Sequence, residues 1–545
     1  LFLILITVSC INNSTERMSC QWSPTPQKKE LSNNVVTPYS PINLTATPVS
    51  PFQIDLLWYD TSNNNNKEDS KIERSANGID FVEIEKVPPS KNSYSDKGLD
   101  GGKTYWYRVR AYKDTGNHIY SNISSATLPW VKTFGSREDD VVYSMQQTSD
   151  GGYIVVGNTS FGIGKTDILV LKLYPDGKIA WQKTYGGKKD DGACCIQQTA
   201  DGGYIVMGDS SSFDEDSGFW MLKLNHDGGI AWQKSYPNAI KGNIVSIQQT
   251  KGGGYIAVGR RMSVHGEHGG VIGTGGYDLW VVKFDTEGRV EWQKMYGGEK
   301  WDEASAVQQT SDGGYIVAGY LNSFDFLILR LNSDGKIAWK KIYERTGKPS
   351  AIQQTADGGY IVAGFISFGS GKEYDVWVLK LNSEGVTLWQ KAYGGPKKDV
   401  ADFIQQTSDG GYIVACTTNS FGAGGHDFWV LKLDHNGNID WQKSYGGAGN
   451  DSASSIQQTN DGGYIVAGVT ESFGAGERDI WILKLSTYGT VRSPESAIRT
   501  TNTSAAVTET SVKDTTIPLM VVDTRLISKD ASGMVRDTNL FVHQQ

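Results

Sequence analysis

The chain has 545 residues, with 52 Lys and Arg against 60 Asp and Glu, a formal net charge of -8. No basic stripe breaks the mixed Lys and Asp pattern, which excludes nucleic acid as a partner, and five cysteines make no disulfide framework. The length is ample for two independent cores.

Leu1 to Val8 is apolar except for Thr7, and Ser9-Cys10 follows. Residues 1–10 are too short a run to span a bilayer and read as a signal or lipoprotein-like segment, truncated or already trimmed because a start Met and a charged head are missing. Cys10 is the lipidation candidate, whereas Thr7, standing where a lipoprotein pattern carries Leu, keeps a plain secretory signal open. Both readings predict export to the cell envelope or beyond, with membrane contact only through a lipid anchor. Residues 11–36 are Asn, Ser and Pro-rich and read as linker.

Residues 37–128 alternate apolar and polar positions in short runs: Pro41 to Ala46, Ile54 to Tyr59, Lys71 to Arg74, Phe81 to Ile84 and Tyr105 to Tyr112. That is sandwich grammar. Leu99, Gly102, Tyr105, Tyr107, Val109 and Ala111 fit an L-x-x-G-x-x-Y-x-[FY]-x-V-x-A pattern. The stretch resembles a fibronectin type III domain, and the resemblance implies that Tyr105 is its tyrosine-corner residue and that the module is a spacer or docking surface.

From residue 129 to 492 a D-G-G-Y-I-V-A-G phrase recurs at Tyr153, Tyr204, Tyr255, Tyr315, Tyr360, Tyr412 and Tyr464. The period of about fifty residues marks a repeat architecture, and each unit holds four short runs rich in Ile, Val, Trp and Tyr between Gly, Asp and Asn turns. Four strands in seven units predict an all-β fold with a seven-bladed β-propeller. Its final outer strand is expected from Trp130 to Lys132, pairing beside Ile480 to Leu485; the run around Val491 competes for that slot but lacks Trp. The G-K-I-A-W stretches ending at Trp181 and Trp339, and relatives ending at Trp232, Trp292, Trp389 and Trp441, resemble the tryptophan-docking repeat of the quinoprotein-like superfamily. That resemblance implies indoles packed between blades and, by analogy only, a pyrroloquinoline quinone enzyme, although such enzymes usually have eight blades.

Cys194 and Cys195 form a possible vicinal disulfide, which in some quinoproteins stacks on the cofactor, or else simply fill the small-residue slots that Ser454 and Ser455 hold in the last repeat. Cys416 replaces the closing Gly of its I-V-A-G and reads as a small buried residue. No G-x-S-x-G, H-E-x-x-H, P-loop or C-x-x-C-H occurs, so no catalytic residue is assigned and no cofactor is required.

What departs from the repeat is the better guide to function. The insertion from Arg260 to Tyr277 carries Arg260, Arg261, His265, Glu267 and His268 beside a very short loop from Tyr320 to Asp325, a wall beside a notch. These five residues are the ligand or partner-face candidates, and His265, Glu267 and His268 are the candidate divalent-metal ligands, with a flexible charged loop as the bland reading. Asp167, Asp278, Asp325, Asp375, Asp427 and Asp479 open third strands and read as turn caps. Asp139, Asp140, Asp190, Asp191, Asp302, Glu303, Asp399 and Asp451 are expected to make one face acidic. Glutamine pairs such as Gln457-Gln458 are expected to satisfy each other between blades. Residues 493–545 form a Thr and Ser-rich tail with V-x-[DE]-T at Val507, Val512, Val521 and Val535; disorder, packing along the propeller and an assembly contact all remain open. The expected function is a non-catalytic, surface-attached binding or scaffold protein for protein or glycan partners. The alternatives are a quinoprotein-like enzyme and a structural subunit of an extracellular assembly.

Overall fold

The computed structural model describes residues 41–60, 69–111, 119–160, 164–212, 218–236, 242–262, 276–297, 300–343, 347–367 and 373–491. Of the tail it describes the backbone of 499–502, 506–509, 514–515, 520–523, 529–530, 534–537 and 541–544. All regular structure among these residues is β.

The first strands make two facing sheets. Pro41–Ser50, Gln53–Asp60 and Ser93–Lys97 form one; Val82–Val87, Ser70–Ser75, Thr104–Ala111 and Ser124–Thr127 form the other. Alternation along Thr104–Ala111 sends Tyr105, Tyr107, Val109 and Ala111 inward, where Tyr107 and Val109 pack with Trp58, Ile54 and Ile72. Tyr105 Oη accepts the backbone N–H of Asp100 at 3.2 Å, the link expected of a corner tyrosine.

The repeats then form seven sheets of four strands each, joined strand to neighbouring strand by antiparallel hairpins. Third strands such as Asp427–Leu433 are buried throughout, because sheet neighbours flank both edges and adjacent sheets cover both faces. In the seventh sheet the fourth strand comes from Trp130–Gly135, which pairs with Asp479–Leu485 from Ile480↔Phe134 to Lys484↔Trp130. The Val491 run does not take that place. Its neighbour Gly489 instead closes a hairpin turn beneath Trp441.

Two glycine positions show why the repeat is so regular. A Cβ on Gly157 would stand 1.8 Å from the carbonyl oxygen of Val141, so the closing Gly of the Y-I-V-V-G stretch is demanded by backbone contact across the hairpin. Gly177 has φ of 73°, and a Cβ there would lie 2.9 Å from the Trp130 ring. Each outer-strand Trp packs in this way on a turn glycine of the following sheet, from Trp181 on Gly228 round to Trp441 on Gly489, with Trp130 linking the seventh sheet to the first. The indole also donates: Trp130 Nε1 reaches the Pro175 carbonyl at 3.0 Å.

The T-x-D-G-G turns are cemented locally. Asp150 accepts the Gly152 N–H at 3.0 Å and pairs with Lys172 at 2.9 Å. In the third sheet Gly252 replaces the aspartate, and Lys283 pairs with Glu291 instead. The seventh turn is covered by the sandwich, whose Thr127 N–H donates to Asp461 at 3.0 Å. Thr487 donates its N–H to the Pro48 carbonyl at 3.1 Å beside it.

The tail resolves the question left open by its sequence. It supplies a fifth, outermost strand to every repeat sheet, visiting the sixth, fifth, fourth, third, second, first and then seventh. Thr500 faces Tyr445, Val507 faces Tyr393, Asp514 faces Tyr343, Val521 faces Tyr296, Val535 faces Tyr185 and Val542 faces Phe134. Those tail residues advance by seven or, across the second sheet, by twice seven.

Candidate functional site

First strands of the repeats line a single cavity of about 450 Å³, each contributing four residues: Tyr143 to Gln146, Cys194 to Gln197, Val245 to Gln248, Ser305 to Gln308, Ser350 to Gln353, Asp402 to Gln405 and Ser454 to Gln457. The leading residue of each set is skipped in the pairing with the second strand, a β-bulge repeated seven times. Bulges re-aim side chains, and these present Tyr143, Cys194, Val245, Ser305, Ser350, Asp402 and Ser454 to the cavity. The lining is thus built by the regular repeat, but its bulge position carries Ser in three sheets and Tyr, Cys, Val and Asp in the other four.

At the far end of the lining the glutamines correct the expectation that they bond one another. The first Gln of each pair accepts the backbone N–H of the second Gln in the next sheet: Gln146 from Gln198, Gln197 from Gln249, Gln248 from Gln309, Gln308 from Gln354, Gln353 from Gln406 and Gln405 from Gln458, with Gln457 returning to Gln147, all at 2.5–2.7 Å. The second Gln accepts in the opposite sense, as Gln147 does from Asn460 at 3.0 Å. Backbone amides, not partner side chains, satisfy the oxygens.

One position beyond the bulges lies the tier where the repeats disagree most. Residues following the closing glycine are Asn158, Asp209, Arg260, Tyr320, Phe365 and Val469, with Thr417 after Cys416. Arg260 pairs with Glu303 at 2.9 Å and stacks over Tyr277 at 4.9 Å. Tyr320 donates to the same carboxylate at 2.7 Å. Lys348 lies 4.0 Å over the Tyr320 ring, and burial lowers its pKa, partly offset by Glu303. Beside them Trp301 and Phe324 stand 50% and 46% exposed, on two loops joined by the Ser323 N–H to Trp301 carbonyl bond. Asp209 borders solvent, yet the surrounding walls strip hydration and raise its pKa to about 6 against the pull of Arg260. Burial likewise raises Asp402 to about 7, opposed by a bond from Thr417 at 2.8 Å.

Of the residues singled out by sequence, Arg260 belongs to this cluster, while Arg261 is buried with its guanidinium 5.6 Å over Trp280. His265, Glu267, His268 and Cys10 lie outside the described residues. Among the described residues no group of three or more His, Cys, Asp or Glu could hold a metal. The Cys194 and Cys195 sulfurs lie 2.9 Å apart as free thiols, in the slots that Ser454 and Ser455 occupy in the seventh sheet. Cys416 is fully buried.

The acidic-face expectation needs correcting. Asp140, Asp191, Asp302, Asp399 and Asp451 are buried and accept loop donors: Asp451 takes the Gly447 N–H at 2.8 Å and Ser472 at 2.7 Å. Asp139 pairs with Arg478 and Glu303 with Arg260, while Asp190 stands exposed. The third-strand aspartates do cap turns, as Asp479 does for Ala475 and Gly476. They also meet the buried acids of the next sheet: a Cβ on Gly446 would lie 1.7 Å from Asp427 Oδ1 and 2.9 Å from Asp451 Oδ2.

Sequence reasoning missed Tyr320, Lys348, Trp301 and Phe324. For Tyr320 the signal was available in the position after each closing glycine, a column of the repeat with no majority residue.

No family model matches the chain, and no curated protein does. Solved structures with local likeness include a β-1,2-glucanase from Parabacteroides distasonis, at 25% identity over 17% of this chain and 13% of that one, with a TM-score of 0.15. An Fn3-like protein from Clostridium thermocellum is similar at 22% identity over 16% of this chain and 88% of its own, with a TM-score of 0.14. The chicken CNTN1 FN1-FN3 domains align over 66% of this chain and 92% of theirs at 8% identity, with a TM-score of 0.15.

Proposed function

We propose that the chain is an exported, surface-attached binding protein in which a fibronectin type III domain at 37–128 carries a seven-bladed propeller at 129–492, and that the propeller face around Arg260, Glu303, Tyr320 and Lys348 binds a glycan. Cyclic contacts support the propeller reading: the Trp-on-Gly packing and the Gln-to-backbone bonds run from each sheet to the next and from the seventh to the first. The observation that carries the binding reading is the cluster of Arg260, Glu303, Tyr320 and Lys348 beside the exposed Trp301 and Phe324, none of which the other repeats carry together. Aromatic rings half open to solvent stand there beside paired and unpaired cations, the combination that stacks on sugar faces while fixing hydroxyls by hydrogen bonds.

Retention on immobilised acidic and neutral polysaccharides tests it. Wild-type protein is expected to be retained, and Trp301→Ala combined with Phe324→Ala to lose about tenfold or more in affinity with an unchanged melting temperature, since both rings are exposed. Equal retention of wild type and variant, or none of either, rejects the glycan-binding face.

A further inference from the structure

We infer that the cavity is itself a small-molecule site, separate from the glycan face, and that it takes a hydroxylated carboxylate of the sugar-acid class.

The argument starts from amide chemistry. A backbone N–H can donate only to the oxygen of a glutamine side chain. Because the first Gln of every pair accepts such a donor at 2.5–2.7 Å, its orientation is dictated and the NH2 group must point the other way. Among the described residues these seven nitrogens have no hydrogen-bond partner, whereas second glutamines such as Gln354 and Gln406 donate theirs to turn carbonyls at 3.3 and 3.5 Å. All seven first glutamines border the cavity. One end of the lining is therefore a collar of amide donors, each held by its own oxygen and preorganised before anything binds.

The other end has the opposite character. There the bulges place the Ser305, Ser350 and Ser454 hydroxyls and the Asp402 carboxyl, the single acidic side chain of the lining, which contains no Lys or Arg. Asp402 retains acceptor capacity beyond its bond from Thr417. Donors at one end suit a carboxylate; hydroxyls and an acid at the other suit sugar hydroxyl groups. A volume of about 450 Å³ falls within the roughly 300–1,000 Å³ usual for small-molecule sites.

Gln353→Glu gives a clean test on the full chain. The new carboxylate still accepts the Gln406 N–H, so the contact between sheets survives, but the group facing the cavity changes from donor to acceptor. Titration calorimetry with glucuronate is expected to show saturable 1:1 binding, with glucose at least tenfold weaker and Gln353→Glu weakening glucuronate at least tenfold without moving the melting temperature. Should that variant fold poorly, Gln197→Glu at the equivalent place is measured instead. Inorganic phosphate serves as a second probe: tighter binding of phosphate than of glucuronate would replace the sugar acid with a bare oxyanion and overturn the assignment. So would absence of glucuronate binding, equal affinity for glucose, or undiminished binding in both glutamate variants. The Trp301→Ala and Phe324→Ala double variant should keep its glucuronate affinity, which separates failure here from failure of the glycan-binding face.

Discussion

Asp427 and Asp451 illustrate how a single repeated letter acquires two jobs. Asp427 Oδ2 accepts loop amides from Ala423 and Gly424 at 3.1 and 3.3 Å, as a turn cap should. Its Oδ1 is buried with no donor and faces the next sheet's Asp451. Burial first, then the Asp451 charge, raises its pKa to about 6; Asp278 beside Asp302 is raised to about 7 for the same reasons. The folded state therefore holds protons that the unfolded chain, with an Asp pKa near roughly 3.9, releases. This stabilisation is complete below that value and lost as pH rises through about 6 to 7. Asp201 and Asp357 work on the acid side: burial opposes them, but bonds from their Thr, Lys and Gly neighbours prevail and hold both near 2, so their contribution disappears as pH falls from about 4 toward 2. Denaturant unfolding at pH 5 and pH 8 should show wild type losing on the order of 2 kcal/mol more than Asp427→Asn over that interval. Parallel losses would mean that burial beside Asp451 does not hold a proton on Asp427.

At the scale of elements, the tail is where sequence reading fell short. Its strands have two to four residues, too short for an alternation signal. Val512 fitted the V-x-[DE]-T pattern but sits off the seven-residue phase, which obscured the spacing shared by Val507, Val521 and Val535. The four-stranded units and the Trp130 pairing were legible because each run is apolar, recurs in every repeat and is bounded by turn residues. Residues lining the cavity were legible as strands but not as a site, since a bulge leaves no mark in composition. Register makes the tail testable. Lys294 and Asp523 are Cα partners, so Lys294→Cys with Asp523→Cys should form a disulfide within one chain under mild oxidation, read by a mobility shift that reductant reverses. Failure to close, with both thiols reactive, would remove the fifth strand from the third sheet.

Across the whole molecule, identical ion pairs differ in value because of what lies over them. Asp150 is 61% exposed beside Lys172, whereas Asp461 and Lys484, at 9% and 0%, are roofed by the sandwich. Removing one partner of an exposed pair costs about 1 kcal/mol or less; leaving a buried charge alone costs about 3–5 kcal/mol. Asp461→Ala should therefore lower the melting temperature far more than Asp150→Ala in the same scan. Equal effects would show that the sandwich does not seal the seventh turn. The same contact ties the sandwich to the one sheet assembled from both ends of the repeat region, so the sandwich and the seam are stabilised together.

The seven-residue step of the tail against the fifty-residue step of the sheets sets an arithmetic on descent. Duplicating one large unit leaves an outer edge with no strand to cover it unless seven residues are also gained in the tail, and losing a unit strands a heptad with nothing to pair. Two genetic events must therefore balance before either is tolerated. Relatives of this chain should vary in copy number only in matched pairs, one sheet with one heptad.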